Sequence, residues 1–431
     1  MQASAQHLAR FLEQPDDGLF YVGHASVLVK LRGRQYLFDM VKNSKPYGNT
    51  WFFFPELVTA LDFSRIDGVF VSHCHQDHFD IPFLQQMQAV CPLYVIDGRP
   101  EFNTLLAEHG LAPVLIPPET RYAVADGVEV YGFLHESNGV DGSIVIASPE
   151  FSVYHGNDNY MQPQRLQVLQ DLYGGIDVGC IPYAYINWYP FLLNNFSPAE
   201  KAAEAERLIH HYYDLAIAQA QAMGARLVIP FGANLVYFDD AYSDINLSVK
   251  TPIEFETYAR QKLGAEEGAR YQALFSGDTV VQHGGRLQVQ AQAFERSAYR
   301  DLMQLHLKAL AQQDADGGLH DLGDLAPHLA RLEEKLAAVE ATETPHEVRV
   351  EAVADKRIKV AIDLRNKTVR RREAWDDSVP NHHFYVTDPV FAQWLRSEIR
   401  FEEIIGSRKF TLSRQPNLYR PEILRIVNTG L

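Results

Sequence analysis

The chain has 431 residues, 46% of them apolar, and a formal charge of −16 at pH 7. That length exceeds one average domain and suggests two or three. The acidic balance argues against a nucleic-acid backbone or an anionic lipid surface as partner, since either needs a basic face.

The N-terminal segment, residues 1–10, lacks an apolar stretch of signal-peptide length, and no run reaches the ~18 apolar residues of a membrane span. Cys74, Cys91 and Cys180 are an odd count without Cys-x-x-Cys spacing. No disulfide framework or zinc ribbon follows, and a cytoplasmic location is expected.

From Leu19 to about Phe275, strands alternate with helices. The apolar run Gly68-Val69-Phe70-Val71 predicts a buried strand feeding a turn. Residues 127–131, 143–147 and 151–154 read as strands from their β-branched and aromatic content. A helix starts at Ser197 as N-cap, with Pro198 at its first position and Glu200 closing a capping box, and stops at Gly224. Residues 226–230 return as a strand. The pattern fits a β-sandwich with helices outside.

Residues 289–340 are rich in Ala, Leu, Gln and Glu, and are broken by a turn at 314–318. The segment 331–340 is a strong helix by propensity and is expected to be a solvated linker. Residues 346–431 form a plausible separate α+β unit. Strands are expected at 347–353, 358–362 and 368–372, helices near 389–396 and 401–405, and a strand at 409–413. His382 and His383 are expected at the surface. The topology resembles a sterol-carrier-protein-2-like module, although a structural cap or dimerisation unit is preferred over lipid binding. The division is thus 1–288 catalytic, 289–345 helical linker and 346–431 C-terminal domain.

The chemistry lies in the turn after Val71. His73, His75, Asp77 and His78 form the pattern His-x-His-x-Asp-His. A turn at a strand end can aim His73 and His75 at one metal, and Asp77 and His78 at a second. Imidazole and carboxylate are the donors that zinc and iron prefer.

This motif resembles the signature of the metallo-β-lactamase superfamily, which implies an αββα sandwich. Upstream, residues 23–29, beginning Gly23-His24-Ala25-Ser26, resemble the opening strand of one branch, and Leu37-Phe38-Asp39 resembles the second strand of its hairpin. Met40 stands where that branch usually has proline. Within the branch, the aromatic run 50–55, the segment 142–146 and Pro230-Phe231-Gly232 resemble the catalytic domain of the CMP-N-acetylneuraminate hydroxylase family. That family also carries a Rieske cluster, which three scattered cysteines cannot supply in its usual form.

The resemblance implies further ligands. His135 at a strand end is preferred as third ligand to the first metal, with Glu136 as rival. Asp158 is the expected bridging carboxylate, with His155 and Asn157 beside it. No histidine follows Pro230, so Asn234 is a weak-ligand or substrate candidate. His24 and Asp39 are expected to support the site, with Asp77 and His24 as its catalytic pair. Tyr183 and Tyr185 are expected in a substrate-pocket wall.

Two chemistries stay open. Two cations can activate water for hydrolysis of phosphoester, lactone or amide bonds, with zinc or manganese expected. Two irons with open positions can instead hydroxylate a small molecule, with electrons from a separate reductase. Oxidation is placed slightly ahead.

Overall fold

The computed structural model describes residues 2–42, 46–135, 140–237, 249–291, 296–311, 322–339, 341–342, 345–354 and 358–430. Two sheets stack through their side chains. The first has eight strands, in the spatial order Arg286–Gln290, Thr279–His283, Gly18–Gly23, Ser26–Leu31, Arg34–Phe38, Gly68–Phe70, Leu93–Ile96 and Val114–Ile116. The second has six, in the order Leu227–Phe231, Val178–Pro182, Ser152–His155, Gly142–Ala147, Val128–Leu134 and Arg121–Ala125.

Period-2 alternation sorts each strand's side chains into two cores. Val27, Val29, Phe38 and Phe70 of the first sheet meet Val130, Ile144, Ile146 and Val153 of the second. On the outer faces, Leu28, Leu37 and Val69 pack with Phe83 and Phe102 from helices Ile81–Met87 and Pro100–Glu108. Val145, Tyr154 and Val228 pack with Tyr213 and Phe255 from helices Pro198–Ala222 and Pro252–Leu263. Strands covered on both sides read as continuous apolar runs. Ser26–Leu31 is buried at every position, and its one charge, Lys30, caps the carbonyls of Phe11 (2.6 Å) and Gln14 (2.5 Å) at the end of helix Gln2–Glu13. This is the expected αββα sandwich.

Helix Pro198–Ala222 begins with the expected capping box. Ser197 Oγ accepts from the Glu200 amide at 3.3 Å, and Glu200 Oε2 accepts from the Ser197 amide at 2.8 Å. Gly224 follows it in the left-handed region at φ 65°.

The third sheet orders Thr368–Arg371, Lys359–Asp363, Glu347–Ala352, Asn381–Val386 and Phe410–Gln415. Asn381–Val386, absent from the sequence reading, pairs parallel with the central strand. The surface expected for His382 and His383 is therefore wrong: they are 1% and 6% exposed. A polar Asn-His-His start resembles a loop until a sheet covers it.

The solvated linker is also corrected. Leu332 and Leu336 of helix Ala326–Ala337 are buried in the same core as Val350 and Trp394. Ahead of it, Tyr299, at the start of helix Tyr299–Ala311, donates to the Phe54 carbonyl at 3.0 Å. The expected turn at 314–318 lies outside the described residues.

The C-terminal sheet shares one core with the sandwich, in which Tyr47, Trp51, Trp188 and Leu235 pack with Phe384, Phe410 and Leu412. Backbone bonds join them: Asn194 N to Leu412 O and Leu412 N to Leu192 O, both 2.8 Å. Among the described residues, no helix is long and apolar enough to cross a membrane.

Candidate metal centre

The turn that carries the motif is held at both ends. Asp39, at φ 41° just past strand Arg34–Phe38, accepts from the Ser72 amide (2.8 Å), the Ser72 hydroxyl (2.5 Å) and His78 Nδ1 (2.9 Å). Downstream, Asp80 accepts from the Phe83 amide at 3.1 Å as N-cap of helix Ile81–Met87. Arg99, 2% exposed, donates to the carbonyls of Ser72 and, at 2.8 Å, Val140. It thereby ties the motif to the loop before Gly142. Burial lowers its pKa to about 10.

Each motif imidazole has one nitrogen held from outside and the other aimed inward. His73 Nδ1 is 3.0 Å from Ser72 Oγ, His78 Nδ1 is held by Asp39, and His75 Nε2 lies 3.4 Å from Glu402 Oε1. The inward nitrogens of His73 and His75 are 2.7 Å apart. Such outer partners fix ring orientation in metal sites. Facing them, Asp141 Oδ1 is 3.7 Å from His73 Nε2. The two Asp158 oxygens divide, Oδ1 3.6 Å from His78 Nε2 and Oδ2 4.0 Å from His73 Nε2. Asp77 Oδ2 is 3.2 Å from His78 Nε2.

Electrostatics describe a cation site. Burial pushes the Asp158 carboxyl up to about 7; His78 opposes this, and Asp77 and Asp141 add to it. Burial also works against charge on Asp77, yet the His78 and His24 imidazoles hold it well below the usual range. The His73 pKa falls well below normal, through burial first and then His78 and His75. Converging carboxylates and inward imidazole lone pairs form a donor set that fits divalent cations of the zinc and iron kind. Three ligand groups lie within 4.8 Å: His73, His75 and Asp141; His73, His78 and Asp158; and His24, Asp77 and His78.

Several sequence candidates fall elsewhere. His135 lines the cavity and its amide donates to Asp141 O at 2.9 Å, but it joins none of these groups. Asp141 stands within 4.8 Å of His73 and His75, where His135 was expected. The sequence signal was an aspartate directly before the strand Gly142–Ala147, in a loop that Arg99 draws to the motif. Glu136 lies outside the described residues. His24 Nε2 contacts Asp77 Oδ2 at 3.1 Å while its ring packs on Phe53, which suits orientation of Asp77. His155 points away, bonded to Ala25 O at 2.9 Å between Phe38 and Phe231. Asn157 donates to Gly142 O at 2.8 Å.

Tyr183 is not a pocket wall. It is fully buried and donates to Lys250 O at 2.8 Å, whereas Tyr185, two residues on, lines the cavity. Asn234 is buried outside the cavity lining, with no hydrogen-bond partner for its carboxamide among the described residues. Sequence reasoning missed Tyr47, whose hydroxyl is 3.3 Å from Asp77 Oδ1, and also Arg99 and Glu402.

Residues 34–232 match the family described as "Beta-lactamase superfamily domain". This segment is a metallo-β-lactamase-fold domain. A Mycolicibacterium smegmatis protein, provisionally named a Rieske 2Fe-2S iron-sulfur protein, is 25% identical over 241 residues, 52% of this chain and 45% of its own length. The chain thus spans less than half of that relative. A protein from Pyrobaculum neutrophilum named a UPF0173 metal-dependent hydrolase is 29% identical over 168 residues, 38% of this chain and 69% of its own. Among solved structures, CmlA, a diiron beta-hydroxylase from Streptomyces venezuelae, is similar at TM-score 0.40 and 17% identity, covering 58% of this chain and 52% of that one.

Proposed function

We propose that the chain is a dinuclear metalloenzyme that hydroxylates a small molecule with dioxygen and externally supplied electrons. In this reading His73, His75 and Asp141 would hold one metal, Asp77 and His78 would hold the other, and Asp158 would serve both. The observation that carries it is Asp141. A carboxylate beside His73 and His75 hardens the donor set towards iron. The segment after Pro230 supplies no histidine, which leaves the second metal with fewer protein donors. The Rieske name of the mycobacterial relative supports a redox setting.

Two ferrous ions, when bound, would supply the reduction of dioxygen. The balance is one C–H bond, one dioxygen, two electrons and two protons giving one C–OH and one water. His24 and Tyr47 orient Asp77 from both of its oxygens. The hydrolytic alternative has its support in the hydrolase name of the Pyrobaculum neutrophilum relative.

Elemental analysis of protein purified without added metal tests the reading. About two irons per chain, with product oxygen drawn from labelled dioxygen, is expected. Zinc supporting full activity, with product oxygen from labelled water, rejects it in favour of hydrolysis.

A further inference from the structure

The cavity over the metal centre holds about 430 Å³, within the range of small-molecule sites. Its described lining includes the metal-facing acids, aromatic rings such as Trp51, Tyr185 and Trp188, and a single Lys or Arg side chain, Arg408. Arg408 follows helix Phe401–Ser407 of the C-terminal unit, in the left-handed region at φ 59°. Glycine or asparagine is the usual residue there, so an arginine departs from local preference. Such a departure points to a side chain with a task.

The guanidinium has only neutral partners. Nη1 donates to Ile405 O at 2.5 Å, Nη2 reaches Ile186 O at 3.4 Å and the guanidinium also hydrogen-bonds the Tyr237 side chain, while the buried Nε has no hydrogen-bond partner. Among the described residues no carboxylate lies within ion-pair distance of it. By contrast, Arg349, in the same unit, is held by Glu347 at 2.8 Å. In a chain with 55 acidic residues against 39 basic ones, a half-buried arginine left without an acid is conspicuous. A desolvated guanidinium with spare donors matches a carboxylate or phosphate.

We propose that Arg408 recognises an anionic group of the substrate, and that the substrate is a small carboxylate- or phosphate-bearing molecule. This rests on the metalloenzyme reading above. The C-terminal unit then supplies specificity to a centre whose metal donors all come from the sandwich.

The test is calorimetric binding of benzoate, phenyl phosphate and neutral benzamide to the metal-loaded full chain, with metal content measured on the same samples. Arg408→Gln should weaken at least one anionic probe by about 10- to 100-fold, leaving benzamide and metal content unchanged. The anion with the larger loss identifies the group. Arg408→Lys should fall between and keeps the test available if the Gln variant does not fold. Unchanged anion affinity, an equal loss for benzamide, or no anion binding by the wild type overturns the proposal. A wild type that binds no metal overturns the metalloenzyme reading instead, and the probe series on that metal-free protein still judges Arg408.

Discussion

The turn His73–His78 and the helix Phe401–Ser407 border the same cavity but reach it by different routes. The turn is six residues behind a buried strand, and its aim is set by backbone geometry and by Asp39, Ser72 and Asp80 nearby. The helix arrives from far downstream: Gln76 and Glu403, 327 positions apart, are hydrogen-bonded, and Glu402 stands behind His75. Its position depends on the whole C-terminal core. The floor of the site is built by the sandwich, whereas the roof comes from the C-terminal unit and reaches the motif through outer partners such as Glu402.

The largest expected effects separate floor from roof. Asp158→Ala should strip both metals, because its two oxygens face His73 and His78. Glu402→Gln should only weaken metal affinity, by about 10- to 100-fold, as loss of an outer partner does. Metal content after dialysis measures both. Full occupancy in the Asp158 variant breaks the bridging assignment, and equal losses erase the contrast.

Within the floor, Asp141→Ala should release the first metal while His135→Ala retains it. Metal titration followed by competition with a chelator ranks the two. The opposite ranking would restore the histidine favoured by strand-end placement.

Legibility follows the same divide. The sandwich was readable because its strands are covered on both faces and its long helix carries a complete capping box. The motif was readable because its donors are adjacent. Asp141 was not, since its approach to His73 depends on the Val140 carbonyl held by Arg99, and that arginine reads as an ordinary surface charge. Asn381–Val386 was missed because polar residues there are buried by pairing with a strand 34 positions earlier in register, Glu347 against Asn381. Tyr183 and Tyr185, two apart, would share a face in a strand, but they follow the strand Val178–Pro182, and one faces the core while the other faces the cavity.

A smaller effect is expected from shifting the roof alone. A side chain at Gly406 would collide with the Tyr47 ring, whose hydroxyl lies 3.3 Å from Asp77. Gly406→Val should displace the helix or the tyrosine and lower kcat/KM by about 10- to 100-fold through misplacement, with metal content preserved. Steady-state kinetics beside metal analysis checks this. Metal lost together with activity would mean that roof and floor are one unit.

The smallest effect concerns acid. His382 and His346, 2.8 Å apart beneath the C-terminal sheet, have pKa values lowered to about 3 and about 4, burial being the main cause for each. His383, 3.2 Å from Glu351, is likewise lowered to about 4 by burial. The unfolded chain takes up protons near pH 6.5, while the folded unit resists until pH 4 or below, so the unfolded state binds more protons between those limits. Stability should therefore be full above about pH 6.5 and fall as the pH drops towards 4. Replacing His382 with Gln removes one titrating group from the roof and none from the floor. The melting temperature of that variant should depend less steeply on pH between 6.5 and 4.5 than that of the wild type. An identical slope would show that acid acts on the metal centre first, and that the roof is the sturdier of the two.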